Sequence, residues 1–437
     1  MIENRKLHIN EKDHLIIGNC DCVDLAKEFK TPLYVMDEDI LRENMRMYKN
    51  AMDKYYAGKG LVLYASKALC TMSLCKIAEQ EGLGLDVVSG GELYTAKKAG
   101  FPMEKVYFHG NNKTPKELSE ALDAGIGRIV VDNIHELKLL NDLCEQKGVK
   151  VQISVRVKPG VDAHTHDFVK TGQIDSKFGV ALENGEVYEF VALAKSLEHI
   201  ELVGLHCHIG SQIFDLEPFV ETAKVMLDLI ANIKEAYGIV ITELNLGGGF
   251  GIIYTEGDDP VEYNRYIESV SQTVKQVCEE RGIERPFMLM EPGRSIVAPA
   301  GITLYTVGSV KNIKDIRKYI AIDGGMFDNP RYALYESKYT FMLANKAKAP
   351  NTQIVTVAGK CCESGDLIGK DIPMSEAQPG DIMAVLATGA YNYSMSMNYN
   401  RNGRPPMILV KDGKARIIVK GENYEDIVRN DVIPQDL

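Results

Sequence analysis

The sequence lacks any long hydrophobic run and any excess of positive charge. No apolar stretch in its 437 residues is long enough to span a bilayer, and the polar residues 1–14 contain no signal-peptide core. Lys and Arg number 50 against 61 Asp and Glu, which gives a formal net charge of −11. This charge argues against nucleic acid or an anionic membrane as the main partner, although small anions can still bind where basic groups and backbone amides cluster.

The cysteines show neither the even number nor the spacing of a disulfide framework or a zinc site. There are nine, and only Cys20 with Cys22 and Cys361 with Cys362 lie close together in sequence. This usage is typical of a reduced, cytoplasmic protein without disulfides.

The middle of the chain alternates apolar runs with helical patterns, several of which open with Pro and close with Gly, such as Pro115–Gly125. Eight strand–helix alternations over roughly 250 residues predict a TIM (β/α)8 barrel, which we place at residues 38–300. The eight predicted strands are Leu61–Ser66, Leu83–Ser89, Val106–Gly110, Arg128–Asp132, Val151–Lys158, Leu202–His208, Glu243–Leu246 and Phe287–Glu291.

After residue 300 the pattern changes to short alternating runs separated by Gly, Asn and Asp turns. These runs, Ile302–Val310, Gln353–Ala358, Ile382–Ala387, Met407–Val410 and Ala415–Lys420, predict an antiparallel, barrel-like β domain. The N-terminal runs Leu15–Ile17 and Leu33–Met36 can supply a strand or two to it. The β domain would then consist of residues 1–37 and 301–437, and the family resemblance given below also implies strands from both chain ends.

Residues able to do chemistry follow most of the predicted barrel strands. Because the active site of a TIM barrel lies at the C-terminal ends of its strands, these residues are expected on one rim. They are Lys67, Asp86, His109, Asn111, Arg156, His206, His208, Ser211, Gly247, Gly248, Gly249, Glu291, Gly293 and Arg294.

Two of these features predict a particular chemistry. Lys67 ends an apolar strand, and a lone amine there suits Schiff-base formation with a carbonyl. Gly247–Gly249 follows the seventh strand, where phosphates commonly bind, and backbone without side chains lets N–H groups approach an oxyanion closely. Ser211 can add a hydroxyl donor, so we predict a phosphate site.

Other features leave alternatives open. His206 and His208 alternate on one strand and point to one side, so they form either a metal-ligand pair or a core histidine beside a functional one; we favour the second interpretation and predict no metal. Glu291 pairs with a positive ring nitrogen or forms a salt bridge with Arg294, and spacing alone favours neither. His164 and His166 are interpreted as loop residues.

Taken together, the motifs resemble the fold-type-III pyridoxal-phosphate-dependent decarboxylases over nearly the whole chain, and most closely the members that act on meso-diaminopimelate. The resemblance depends on Tyr64–Ala68, Asp86–Leu93, His109–Lys113, Gly204–Gln212, Gly247–Gly249, Glu291–Arg294, Asp323–Met326, Asp328–Tyr335, Cys362–Asp366 and Thr388–Tyr391. Two departures, Leu69 and Tyr332, concern substrate fit and not the cofactor.

The resemblance implies a role for each cofactor-site residue. Lys67 would carry pyridoxal 5′-phosphate covalently, His208 would stack on its ring, and Glu291 would pair with its ring nitrogen. The remaining residues implied to bind the cofactor are Asp86, Arg156, Ser211, Gly247, Gly248, Gly249, Gly293, Arg294 and Tyr391.

The resemblance also implies a homodimer with active sites shared between subunits. Cys362, as proton donor, and Glu363 would come from the partner subunit. The substrate would be bound by Arg294, Arg331, Tyr335, Glu363 and Tyr391. A second ammonium–carboxylate centre needs both a cation and an anion, which these side chains offer, so the predicted reaction is decarboxylation of meso-2,6-diaminopimelate at its D-centre to L-lysine and CO2, the last step of lysine biosynthesis.

The alternatives are a decarboxylase of another basic amino acid and a metal-dependent TIM-barrel hydrolase that uses His206 and His208. A non-catalytic cofactor-binding protein of the same fold is less favoured, because Cys362 and the substrate arginines are all present.

Overall fold

The computed structural model describes residues 6–161 and 175–437, which form two compact units. One unit comprises Met1–Arg42, Ile253–Asp258 and Val297–Leu437, and the other comprises Glu43–Ile252 and Asp259–Ile296. The predicted boundaries 37/38 and 300/301 fall at the first residues of a helix and of a strand. His164 and His166 lie outside the described residues.

The N-terminal segment contributes four short strands and the first two helices. They are β1 (His8–Ile9), β2 (Leu15–Ile17), β3 (Cys20–Asp21), α1 (Cys22–Phe29), β4 (Leu33–Asp37) and α2 (Glu38–Tyr56). Strands β1, β2 and β3 form a small antiparallel sheet of their own.

A closed barrel of eight parallel strands follows, as predicted. The strands are β5 (Gly60–Ala65), β6 (Gly84–Val87), β7 (Val106–Phe108), β8 (Arg128–Val131), β9 (Val151–Lys158), β11 (Ile200–His206), β12 (Glu243–Asn245) and β13 (Phe287–Met290). Each pairs with its neighbours in chain order, and β13 returns to pair with β5 and closes the ring. A two-residue strand, β10 (Val180–Ala181), pairs with the end of β9.

The helices of this unit connect the strands. They are α3 (Met72–Gln80), α4 (Gly90–Lys98), α5 (Pro115–Ala124), α6 (Ile134–Lys147), α7 (Glu186–Ser196), α8 (Glu217–Tyr237), α9 (Tyr263–Arg281) and α10 (Arg294–Val297). Strand ends differ from the prediction where a helix cap begins: Ser89 leaves the second strand because its hydroxyl accepts a hydrogen bond from the Glu92 N–H and caps α4.

The β unit contains eight further strands and two short helices. They are β14 (Gly301–Ile313), β15 (Arg317–Ile322), α11 (Arg331–Tyr335), β16 (Phe341–Leu343), β17 (Gln353–Ala358), β18 (Leu367–Met374), β19 (Ile382–Leu386), β20 (Met407–Lys411), β21 (Lys414–Val419) and α12 (Tyr424–Val428). The strands β15, β16 and β18 carry weaker alternation and were not predicted.

Strand β4 from the N-terminus lies inside this sheet, between β14 and β20, which confirms that both chain ends contribute. Most pairs are antiparallel, as predicted, but β4 with β20 and β15 with β17 are parallel. Strands β4 and β20 lie far apart in sequence, so no hairpin constrains their direction. The core of the sheet is formed by buried residues of β4, β14 and β20, including Leu33, Val35, Leu304, Ile408 and Val410.

Among the described residues, no helix is long and apolar enough to cross a membrane.

Candidate active site

The buried carboxylate of Glu291 is the centre of the polar groups on the barrel rim. It follows β13 and is 7% exposed. Three side chains from other barrel strands converge on it: the Asn245 amide donates to Oε1 at 2.6 Å, Nε2 of His206 lies 3.1 Å from Oε2, and Nε2 of His109 lies 2.9 Å from Oε1. Each residue stands at or just after a strand end, so the barrel itself brings them together.

These partners determine the protonation of the cluster. Burial alone would raise the pKa of Glu291, but His109 and His206 more than offset it and hold that pKa well below its usual value. Burial lowers the pKa of His206 to about 4, despite the adjacent carboxylate. Near neutral pH the structure therefore contains an ionised Glu291 and a neutral His206.

Asp86 and Arg156 lie in the same charged environment. Asp86 Oδ1 is 3.8 Å from His109 Nε2, and burial raises the pKa of Asp86 although His109 opposes the shift. The Arg156 guanidinium packs 4.2 Å from the ring centroid of Phe178. Burial lowers the pKa of Arg156, while Asp132, Glu291 and Asp86 oppose the shift.

Lys67 is exposed on a one-turn 3-10 helix, Ser66–Ala68, directly after β5. The Ser66 hydroxyl donates to Glu92 Oε2 at 3.2 Å, and the Val88 N–H donates to the same oxygen at 2.7 Å. This oxygen therefore ties the lysine-bearing turn to the end of β6. Because β5 pairs with β13, Lys67 and Glu291 follow neighbouring strands.

The glycine run lies where the backbone is too crowded for a side chain. A Cβ on Gly248 would lie 2.1 Å from the carbonyl oxygen of Glu291, and Gly247 has a φ of +69°. The Gly248 N–H points to Nδ1 of His208 at 3.3 Å, and burial, followed by Lys67, places the pKa of His208 well below its usual value. His208 is therefore a neutral ring.

Ser211 and Arg294 are brought together, since Nη2 of Arg294 donates to the Ser211 hydroxyl at 2.9 Å. Arg294 is buried and opens α10 directly after Gly293, where a Cβ would lie 2.9 Å from the Cβ of Ala65. A hydroxyl, a guanidinium and glycine backbone form a donor set suited to a phosphate monoester.

The residues of the barrel rim fit pyridoxal phosphate. They provide an exposed amine for its aldehyde, a neutral ring to stack on it, a donor set for its phosphate and an ionised carboxylate for its ring nitrogen. The orphaned Oδ1 of Asp86 is a further buried acceptor without a hydrogen-bond partner among the described atoms.

Three residues predicted to bind substrate or cofactor cluster within the β unit. Arg331 opens α11 and is 9% exposed, and its guanidinium carbon lies 5.3 Å from the ring centroids of both Tyr335 and Tyr391. Its Nη2 donates to the Ser337 hydroxyl at 3.4 Å, and its buried Nε has no hydrogen-bond partner among the described atoms. This guanidinium retains a donor for a ligand.

Cys362 and Glu363 lie on an exposed loop of the same unit. The Cys362 N–H donates to Asn400 Oδ1 at 2.7 Å, and Tyr399 approaches Glu363 Oε2 at 3.5 Å. The neighbouring Cys361 is buried, and its N–H donates to Asp366 Oδ2 at 2.7 Å. The backbone of the loop is thus fixed while the Cys362 thiol is exposed.

From the sequence alone, His109 received no role, His206 was interpreted as a core histidine or a metal ligand, and Asn245 was not singled out. Their strand-end positions were the available signal, but only barrel closure shows that all three contact one carboxylate. His208 lies beyond the strand on which its alternation with His206 was predicted, because β11 ends at His206. Among the described residues, the cluster close enough to share a metal ion is His109, His206 and Glu291, whose ligand atoms lie within 4.8 Å of one another.

A barrel with an exposed strand-end lysine, a phosphate-type donor set and a buried ionised carboxylate defines an enzyme that works through a covalently held cofactor. The model of the pyridoxal-dependent decarboxylase family, pyridoxal-binding domain, matches residues 38–298. The chain belongs to this family, which confirms the predicted fold, decarboxylase class and pyridoxal phosphate cofactor.

Individual relatives within this family have names that specify the substrate. The chain is 49% identical to diaminopimelate decarboxylase of Bacillus subtilis over 424 residues, 97% of this chain and 96% of the relative. The crystal structure of diaminopimelate decarboxylase from M. jannaschii with L-lysine matches with a TM-score of 0.93 and 35% identity over the whole of both chains. That of the Helicobacter pylori enzyme with L-lysine matches with a TM-score of 0.85 and 32% identity over 93% of this chain and 98% of the other.

Proposed function

We propose that this protein decarboxylates meso-2,6-diaminopimelate at its D-centre, with pyridoxal phosphate as cofactor, to give L-lysine and CO2 as the last step of lysine biosynthesis. The proposal depends above all on Glu291, which is ionised and buried and directly follows β13, the strand that pairs with the lysine-bearing strand β5. The relatives named above support the choice of substrate.

Pyridoxal phosphate, when bound, supplies an electron sink for the pair left behind by CO2. The role of the protein is to orient the cofactor and to provide charged groups that stabilise it. The Lys67 amine would bind the cofactor aldehyde, and Ser211, Arg294 and the backbone of Gly247–Gly249 would hold its phosphate. His208, as a neutral imidazole, would pack on its ring. Glu291 would accept a hydrogen bond from the ring nitrogen and favour its protonated form, because an opposite charge stabilises a cation.

Arg331 and Glu363 are proposed to recognise the distal centre of the substrate, together with Arg294, Tyr335 and Tyr391. A guanidinium between two tyrosine rings, with Nε unpaired, can accept a carboxylate as a bidentate partner. Glu363 supplies the negative charge for the distal ammonium. An amino acid without the distal carboxylate would leave Arg331 buried and unpaired, which is unfavourable.

Cys362 is proposed to return the proton to the carbon that loses CO2. Its thiol is exposed, as required for a group that a second copy of the chain presents to a site on the first. We therefore propose a homodimer in which Cys362 and Glu363 complete the site that contains Lys67 of the other subunit.

Mixing two inactive variants tests the shared site. Lys67→Ala and Cys362→Ala subunits, dissociated and reassociated together, should recover roughly a quarter to a half of normal activity through hybrid dimers with one intact site. If hybrid dimers form without recovery of activity, Lys67 and Cys362 act within one chain.

Assay of the purified protein against a panel of amino acids tests the reaction. We expect CO2 release from meso-diaminopimelate with one L-lysine formed per CO2, and values of kcat/KM for L-lysine, L-ornithine and L-arginine lower by at least about 10³-fold. Comparable efficiency on L-ornithine or L-arginine would contradict the proposed substrate and leave only the decarboxylase class.

Two further proposals concern organisation. We propose that residues 38–300 act as the cofactor-binding domain, and residues 1–37 with 301–437 as the β domain. We also propose a cytoplasmic location, which the nine free cysteines support.

A further inference from the structure

Two buried histidines, His109 and His206, converge on Glu291, although the proposed chemistry assigns neither of them a step. They are 4% and 1% exposed, and their rings meet edge to face at a centroid distance of 4.7 Å. Two adjacent imidazoles beneath a cofactor site therefore need a physical explanation.

The contact of His206 with Glu291 identifies which ring nitrogen of His206 carries the proton. His206 is neutral near pH 7 and so carries a single N–H. Its Nε2 lies 3.1 Å from the ionised Glu291, which can only accept, so the proton is on Nε2. Nδ1 is then a bare acceptor, and it has no hydrogen-bond partner among the described atoms. A buried acceptor without a partner is tolerated more readily than a buried donor.

His109 lies between two carboxylates. Its Nε2 is 2.9 Å from Glu291 Oε1 and 3.8 Å from Asp86 Oδ1, and the hydrogen does not point cleanly at either oxygen. A donor shared in this way lowers the repulsion between Asp86 and Glu291.

The Glu291 carboxylate can accept one more hydrogen bond than its neighbours supply. An ionised carboxylate offers about four lone-pair positions. His206 and Asn245 occupy two of them, and His109 Nε2 lies 2.9 Å from Oε1, which still leaves one position for a ligand. We propose that His109 and His206 are positioning residues, which hold Glu291 ionised and fixed so that its remaining acceptor position receives the N–H of the cofactor ring. This inference rests on the proposed function.

The same geometry argues against a metal ion at this cluster. A metal bound by both Nε2 atoms would require the protons on Nδ1, and a metal-bound histidine almost always donates that proton to an acceptor. Nδ1 of His206 has no acceptor among the described atoms.

Several other ionisable groups act on this cluster, and the test must separate them from the two histidines. They are Asp86, Tyr107, Arg156, Cys207 and His208. Cys207 directly follows His206 and is fully buried, so Cys207→Ala is a matched control for loss of packing beside the cluster.

The test measures how tightly the holoenzyme holds pyridoxal phosphate, followed as loss of its visible absorbance after dilution into a carbonyl scavenger. We expect His206→Leu and His109→Leu each to accelerate cofactor loss about 10- to 100-fold, the range for hydrogen bonds to a charged group. His206→Gln, which retains an N–H donor, should recover part of the loss, and Cys207→Ala should behave as wild type.

A double-mutant cycle shows whether the histidines act through Glu291. In a Glu291→Gln background, His206→Leu should change cofactor loss less than about threefold, because the charge that His206 supports is gone. Equal effects of His206→Leu in both backgrounds, unchanged cofactor loss in the single variants, or one metal ion per chain in the holoenzyme would overturn the inference. Failure of the proposed function would look different, since the wild-type protein would then hold no pyridoxal phosphate or release no CO2 from diaminopimelate.

Discussion

Two buried carboxyl groups, Glu291 in the barrel unit and Asp328 in the β unit, have opposite pKa shifts. Burial raises the pKa of Asp328 to about 8, against hydrogen bonds from the Tyr305 hydroxyl at 2.6 Å and the Gly325 N–H at 3.1 Å, and Asp323 and Asp366 raise it further. The pKa of Glu291 is held well below its usual value by His109 and His206 against the same burial. The neighbouring polar and charged groups, and not the depth of burial, therefore decide which of the two carboxyl groups is ionised.

The difference matches the proposed roles. An acid that must stay ionised in a buried site needs several polar groups aimed at it, and three other barrel strands supply them to Glu291. Asp328 is neutral near pH 7, and it serves as a hydrogen-bonding group that joins Tyr305 to the turn before α11. The following predictions test this contrast, in order of decreasing effect.

Removing the charge of Glu291 should have the largest effect. Glu291→Gln keeps the shape but not the charge, and we expect kcat to fall about 10³-fold, as when one preorganised electrostatic group is lost. Steady-state CO2 release is the measurement. Glu243→Gln is the control: Glu243 opens β12 and pairs with Arg128 at 2.6 Å, so it should alter stability but not kcat. Equal losses in the two variants would contradict a specific role for Glu291.

The two adjacent cysteines should differ sharply. Cys362→Ala is expected to lower kcat about 10²-fold, the lower part of the range for a lost proton donor, whereas Cys361→Ala should keep kcat within about twofold of wild type. Product analysis sharpens the comparison, because a missing proton donor favours side products over L-lysine. Wild-type turnover by Cys362→Ala would remove Cys362 from the mechanism.

Arg331→Lys keeps a cation but loses the planar fork and its contact with two tyrosine rings. We expect KM for meso-diaminopimelate to rise about tenfold with kcat little changed, because the arginine serves binding and not chemistry. A fall in kcat at constant KM would instead place Arg331 in the reaction.

Asp328→Asn should have the smallest effect, confined to stability. The folded pKa of Asp328 lies above its unfolded value, so the folded state binds more protons between about pH 4 and 8 and stability falls as pH rises through that window. Asparagine removes this dependence, so the melting temperature at pH 8 should rise by roughly 2–4 °C, with no gain at pH 4. A lower melting temperature at both pH values would show that the carboxyl is needed for its hydrogen bonds.

Much of the barrel was predictable because its strands are apolar runs bounded by turn residues. All eight were located, and the groups at their ends were expected on one rim. The convergence of His109, His206 and Asn245 on Glu291 was not predictable, since these residues are far apart in sequence and only ring closure brings them together. For the same reason the spacing of Glu291 and Arg294 could not show that Arg294 donates to Ser211.

In the β unit, the prediction missed strands with mixed polarity, such as β15, whose pattern of partly exposed residues resembles a loop. The parallel pairing of β4 with β20 was also beyond local pattern, because neither strand is connected to the other by a turn. The Arg331 cluster was expected from family resemblance alone.

The central claim is that the barrel holds pyridoxal phosphate on Lys67 beside an ionised Glu291, and trapping the cofactor tests it most directly. Borohydride treatment of the yellow holoenzyme, followed by peptide mapping, should place the cofactor on a single peptide at Lys67, and Lys67→Ala should lose the label. Labelling of a different lysine, or a protein that binds no cofactor, would contradict the account.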